Sequence, residues 1–250
     1  MQKKLIVRNI EVVYKRDGIK LKVVENLNFN VTENEFLCIL GPSGCGKTTI
    51  LNTIAGFIKP TEGQILLNGR CITEPTKEIG VVFQHNVLFP WRTVKENIII
   101  GPKINGVSKS KIKKISDYCL DLIGLEKYAN YYPNELSGGM QQRVGFARAL
   151  ANNPEIILMD EPFSHLDALT RIELHEQLLK ILNKYKKTII FVTHDVDEAL
   201  ILSNRILIMS KRPGKIRKTI KNNLSRPRNH NITTKIDYIK QKKKIIRLLG

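Results

Sequence analysis

The chain has 250 residues, 42% of them hydrophobic and 26% charged, which suits one large globular domain or a domain carrying an inserted subdomain. It has no apolar run near the roughly 18 residues needed to span a bilayer and no signal-peptide core behind Lys3 and Lys4, so it is expected to stay in the cytosol. The formal charge is +18, of which residues 211–250 carry +13 and the first 210 residues only +5; such a basic tail suits a membrane surface, nucleic acid or plain solubility.

Four cysteines (Cys38, Cys45, Cys71, Cys119) show no C-x-x-C spacing, which argues against a zinc site or a disulfide framework. Three are expected as small buried hydrophobes. Cys45 is a small loop residue that would be exposed without a bound ligand.

In chain order, residues 3–13 and 21–31 partly alternate apolar with polar and predict two antiparallel strands around a turn at 15–18. Phe36 to Leu40 is a continuous apolar run, a buried strand. It stops at Gly41-Pro42-Ser43-Gly44-Cys45-Gly46, and Lys47-Thr48-Thr49 opens a helix. Strand, glycine loop and helix with the spacing G-x-x-x-x-G-K-T form a phosphate cradle. Small residues let backbone N–H groups converge, and the helix N-terminus adds unpaired donors and a positive dipole end. Lys47 is placed to reach the β- and γ-phosphates, and the Thr48 hydroxyl to ligate Mg²⁺.

Residues 63–72 read as a hairpin turning at Asn68-Gly69. Residues 79–83 form a short apolar strand ending at Gln84. From about 86 to 153 the pattern turns helical, with a helix starting near Thr93, another over 110–128 broken at Gly124, and a third after Gly138-Gly139 that Pro154 closes. Residues 155–162 give a second buried strand, ending in Asp160 and Glu161. A helix at 168–184, a strand at 188–193 ending at His194, a short helix and a strand at 205–211 follow. Residues 235–249 suit a basic amphipathic helix. Strands alternating with helices predict a largely parallel core sheet.

Active groups in such sheets gather at the carboxyl ends of strands. Those ends carry the phosphate loop, Gln84, Asp160 with Glu161, and His194. Asp160 suits an ion that keeps most of its waters, and Glu161 suits a group that orients and deprotonates an attacking water.

With these motifs in place, the chain resembles the ATP-binding subunit of an ABC transporter over about residues 4–215. LSGGM (136–140) matches the family's signature motif and opens a predicted helix. The resemblance implies an α/β P-loop NTPase cassette, with a RecA-like mostly parallel core sheet, an antiparallel β subdomain and a helical insertion over about 86–153. Residues 216–250 are then a short basic tail. It further implies ATP bound by Tyr14 on adenine and by Gly41, Pro42, Ser43, Gly44, Cys45, Gly46, Lys47, Thr48 and Thr49 on the phosphates. Mg²⁺ is expected on Thr48, Gln84 and Asp160, and catalysis from Glu161, His194, Gln84 and Lys47. The family works as a head-to-tail dimer, in which Ser137, Gly138 and Gly139 of one subunit close on the γ-phosphate held by the other. Asp167 falls in the loop that crosses the dimer, where His165 replaces a residue that is small in many relatives. Ordinary packing at a strand end is the plainer reading of Tyr14.

NVLFPWRTVKENI, PFSHLDALTR, HDVDEAL and RPGKI, together with the RPR at 226–228, resemble importers of the nitrate, sulfonate, taurine and bicarbonate group; importers of thiamine-precursor pyrimidines share much of this pattern. The implied partners are a second ATPase subunit (identical or not), membrane permease subunits and, indirectly, a solute-binding protein, with the chain peripheral on the cytoplasmic face of the inner membrane. Nucleic acid is not expected. A DNA-repair ABC ATPase shares the motifs, but such proteins place large insertions between them, and here only about 90 residues separate Lys47 from Ser137.

Overall fold

The computed structural model describes residues 3–16, 18–84, 87–226, 228 and 230–249. Two long strands come first, β1 (Lys3–Arg16) and β2 (Ile19–Thr32), followed by the short strand β3 (Phe36–Leu40) and helix α1 (Lys47–Ile54). The hairpin β4 (Glu62–Leu67) and β5 (Arg70–Cys71) precedes β6 (Ile79–Val82). Three helices follow: α2 (Val94–Ile104), α3 (Lys109–Ile123) and α4 (Gly138–Ala151). The chain ends with β7 (Ile156–Asp160), α5 (Ala168–Tyr185), β8 (Thr188–Thr193), α6 (Val196–Leu202), β9 (Arg205–Met209), β10 (Ile216–Lys221) and α7 (Ile236–Leu249).

The first two strands outrun the apolar alternation that predicted them. Backbone pairing continues through Lys15↔Lys20 and Arg16↔Ile19, where Lys15, Ile19 and Lys20 are exposed and apolar alternation carries no signal. Residue 17 of the expected turn lies outside the described residues. The helical pattern over 110–128 breaks at Gly124 as expected: α3 ends at Ile123 with Gly124 at φ +64 as its C-cap, and residues 126–128 form a separate 3₁₀ turn.

Two compact units divide the chain: Met1–Thr76 with Lys186–Gly250, and Lys77–Tyr185. The first unit holds an antiparallel sheet ordered β2-β1-β4-β5. It also holds β3 between two parallel neighbours, β8 and β9, with β10 antiparallel on the outer side of β9. All five residues of β3 are buried, which is why the strand reads as a continuous apolar run. The Arg205 guanidinium donates to both oxygens of Glu35, whose carboxylate also accepts from the Thr32 N–H, so the turn entering β3 is tied to the start of β9. In the second unit β6 and β7 pair in parallel, and α2, α3 and α4 pack around Val94, Ile98, Cys119, Ile123, Val144 and Ala147.

Helix α7 docks on α6. The buried Tyr238 hydroxyl donates to Asp197 Oδ1 at 2.6 Å, and the Lys242 ammonium lies 2.8 Å from Asp197 Oδ2. Among the described residues no helix is long and apolar enough to cross a membrane.

One buried cation organises the C-terminal end of α6. Arg228, 5% exposed, donates to the carbonyls of Leu200, Ser203, Asn222 and Leu224 over 2.6–3.2 Å. Helix-end carbonyls lack intrahelical donors, and a planar guanidinium can reach several at once. Burial and neighbouring Arg226 lower its pKa to about 10, which leaves it charged at neutral pH. Replacing it removes these donors, although the Asn222 side-chain amide still serves the Leu200 and Ser203 carbonyls, so Arg228→Ala is expected to cost about 2–3 kcal/mol in urea unfolding. Arg228→Lys should recover less than half, because one ammonium cannot span four acceptors.

Candidate functional site

The phosphate loop begins where β3 ends. Leu40 is paired with Thr193 of β8 on one side and with Ile208 of β9 on the other, so three carboxyl ends lie level. Gly46 caps α1 at φ +100, a backbone region open to glycine at little cost. A Cβ there would sit 3.1 Å from the Val23 carbonyl and from side-chain carbons of Val23 and Val24, so the loop also lies close against β2. Lys47 is 4% exposed, and its ammonium donates to the carbonyls of Gly41 (2.9 Å) and Pro42 (3.1 Å). A cation is thereby fixed at the loop, while Ser43, Gly44 and Thr48 remain exposed. Cys45 differs from expectation: it is 1% exposed, because its side chain turns inward beneath the loop, whereas Cys71 on β5 is the exposed cysteine.

His194 follows β8 directly and is exposed, so it shares the sheet end from which the phosphate loop leaves. Its neighbours are held firmly. The Thr193 hydroxyl donates to buried Glu198 and accepts from the Asp195 N–H, and the Asp195 carboxylate caps α6 by accepting from the N–H groups of Asp197 and Glu198. Tyr14 stands opposite Leu21 on the β1–β2 hairpin and is 41% exposed, an aromatic surface open to a planar base.

The second unit holds the remaining candidates. β6 and β7 pair at Val82↔Met159, so Gln84 and Asp160-Glu161 follow the same carboxyl edge. Asp160 is 7% exposed. Glu161 adopts φ +40, an uncommon conformation for a residue with a Cβ, and its carbonyl accepts from the N–H and the hydroxyl of Ser164. Ser137 is the N-cap of α4 and accepts from the Met140 N–H, with Ser137 and Gly138 exposed at the helix start. This helix start is not at the β6–β7 edge contact: Gly80 of β6 abuts Ala149, about 16 Å farther along α4 at 1.5 Å per residue. Asp167 accepts from the Thr170 N–H, which holds its carboxyl below the usual range.

Several positioning residues escaped the sequence reading. Asn97 is fully buried and ties the segment before α2 together, accepting from the Phe89 N–H and donating to the carbonyls of Phe89, Arg92 and Thr93. Arg148 donates to the Val87 carbonyl at 2.7 Å and lies over the Phe89 ring. Residues 85 and 86 of the same segment lie outside the described residues. An asparagine in a helical pattern carries no sign that it will cap a loop.

The ABC transporter family profile matches residues 24–164. An uncharacterized ABC transporter ATP-binding protein of Methanocaldococcus jannaschii is 48% identical over 100% of this chain and 92% of its own length. An aliphatic sulfonates import ATP-binding protein of Bacillus anthracis is 49% identical over 84% of this chain and 82% of its own. A taurine import ATP-binding protein of Roseobacter denitrificans is 48% identical over 81% and 75%. Among solved structures, a dimeric ATP-binding cassette in a post-hydrolysis state, bound to ADP and Pi, matches with a TM-score of 0.77 at 36% identity, covering 88% of this chain and all of that one.

Gly46→Ala would force a Cβ into the φ +100 position against β2. The substitution is expected to cost about 1–2 kcal/mol in urea unfolding and to weaken a fluorescent ATP analogue more than about tenfold in equilibrium titration. Unchanged affinity would show that the phosphates bind elsewhere.

Proposed function

The chain belongs to the ABC transporter family, has its α/β cassette fold and is an ATP-binding ATPase subunit; from that premise we propose that it energises import of a small sulfonate, taurine or an alkanesulfonate, through a membrane permease. The observation that carries the ATPase part is the strand–loop–helix at residues 36–54 with Lys47 fixed on the loop carbonyls. The solute reading is supported by relatives at 48–49% identity that are aliphatic sulfonate and taurine import proteins. Importers of nitrate, bicarbonate or a thiamine-precursor pyrimidine are the alternatives within the same group.

In this reading Tyr14 stacks on adenine. The N–H groups of residues 43–49 surround the phosphates, and the Lys47 ammonium moves from the Gly41 and Pro42 carbonyls onto the β- and γ-phosphates. Mg²⁺ suits the donors proposed for it, because Thr48, Gln84 and Asp160 offer hydroxyl, amide and carboxylate oxygens. When bound, the ion neutralises phosphate charge. Glu161 orients the attacking water and takes its proton, with its backbone held by Ser164. His194, on an edge fixed by Thr193 and Asp195, hydrogen-bonds the γ-phosphate.

The dimeric relative at 36% identity supports a two-subunit assembly, in which Ser137, Gly138 and Gly139 of one subunit close on the other's γ-phosphate. Closure is then driven by ATP and reversed by hydrolysis. Gln84 and the segment pinned by Asn97 pass the motion to the permease, and a solute-binding protein delivers the sulfonate. The chain works as a peripheral subunit on the cytoplasmic face of the membrane.

Glu161→Gln is expected to lower kcat at least about 100-fold while an ATP-bound dimer accumulates in size-exclusion chromatography; hydrolysis at the normal rate would remove Glu161 from the role of base. Gln84→Ala should retain basal hydrolysis but lose stimulation by the permease in vesicles. Reconstituted with a sulfonate permease and its binding protein, the chain should drive uptake of labelled taurine or alkanesulfonate. Uptake of nitrate or a pyrimidine instead would reassign the solute.

A further inference from the structure

The connection between β9 and β10, residues 210–215 with the sequence Ser-Lys-Arg-Pro-Gly-Lys, lies against the outer side of the phosphate loop. It is a built element. The Gly214 N–H donates to the Val23 carbonyl at 2.8 Å, and the Glu25 N–H donates to the Gly214 carbonyl at 3.1 Å, so the turn is bonded to β2. The Lys215 ammonium lies 3.1 Å from the Glu25 carboxylate. Within the turn, the Ser210 hydroxyl accepts from the Lys215 N–H at 2.9 Å and lies 3.0 Å from the Pro213 carbonyl.

Three contacts join this turn and the last residue of β9 to the loop. A Cβ on Gly41 would meet Met209 Cβ at 2.8 Å, and one on Gly214 would meet the Cys45 carbonyl oxygen at 2.2 Å, a separation that only glycine permits. The third contact is polar: Arg212 Nε donates to the Gly44 carbonyl at 3.3 Å. That carbonyl belongs to the same peptide unit as the Cys45 N–H. A cation bonded to the oxygen of a peptide polarises it and strengthens the N–H on its other side. It also fixes which way that N–H points. The Cys45 N–H donates to the Pro42 carbonyl over a long 3.4 Å.

We propose that Arg212 is a positioning residue for the phosphate loop: held against the Gly44 carbonyl by the 210–215 turn, its guanidinium orients and polarises the Gly44–Cys45 peptide so that the Cys45 N–H is presented to the nucleotide's phosphates. The inference rests on the reading of residues 41–49 as the nucleotide site. Arg212 touches no reacting atom, so its effect falls on nucleotide affinity more than on the chemical step. Its side chain is exposed, and Ala, Lys and Gln fit there without opening a cavity.

The test uses the full-length chain with Arg212→Ala and Arg212→Lys. MgATP and MgADP binding are measured by titration calorimetry, hydrolysis by steady-state kinetics, and stability by ligand-free thermal unfolding. Arg212→Ala should weaken both nucleotides about 5- to 20-fold and raise KM by the same factor, with kcat within about twofold and the ligand-free unfolding midpoint unchanged. Arg212→Lys should recover only part of the affinity, since an ammonium keeps the charge but not the directed Nε donor. Affinity within twofold of wild type in Arg212→Ala would overturn the proposal. So would full recovery by lysine, which would indicate long-range attraction, or an affinity loss that tracks a fall in the unfolding midpoint. A wild-type chain that binds neither nucleotide would overturn the reading of the site itself, and this inference with it.

Discussion

The first unit depends on burying five residues, Phe36 to Leu40, between two parallel neighbours. Both faces of the strand are buried as well, so it must be apolar throughout. Parallel pairing on both sides fixes the strand ends relative to one another. With Leu40 level with Thr193 and Ile208, the residues leaving all three strands emerge at one edge. The phosphate loop, His194 and the β9–β10 turn are thus placed by hydrogen-bond register, before any of their own side chains act.

The loop itself is defined from both sides. Its carbonyls need partners of their own. Lys47 satisfies Gly41 and Pro42, and Arg212 satisfies Gly44. Cys45 turns its thiol into the protein and its backbone toward Gly214. A concavity of N–H groups is stable only where the reverse side of the same peptides is also bonded or packed.

Buried polar groups recur at the ends of elements. Arg228 finishes α6, Asn97 anchors the segment before α2, and Glu198 with Thr193 and Asp195 fixes the residue after β8. Each satisfies backbone groups that a helix or strand end leaves open. The basic tail is only partly free surface: Arg228 and Lys242 are spent on such contacts, and Arg217 donates to the Leu248 carbonyl, tying β10 to α7.

What the sequence alone determined was most of the elements and the residue types at their ends; β10, a largely exposed edge strand within the stretch read as a tail, carried no pattern that announced it. The run at 36–40, the loop at 41–46 and the acids after 156–160 are local patterns whose meaning needs no distant partner. Boundaries were legible where burial or a breaker marked them, as Gly124 marks the end of α3, and were not at the exposed β1–β2 tip. The tertiary structure decided the rest, because those features arise between residues remote in sequence. Arg212 meets Gly44 across 168 positions, and Arg228 reaches the end of α6 from 25 positions beyond Ser203. The burial of Cys45 likewise follows from the path of the backbone. Periodicity reports which face of an element is buried; the partner across the fold, which sets side-chain direction and hydrogen bonding, is fixed only when the chain closes on itself.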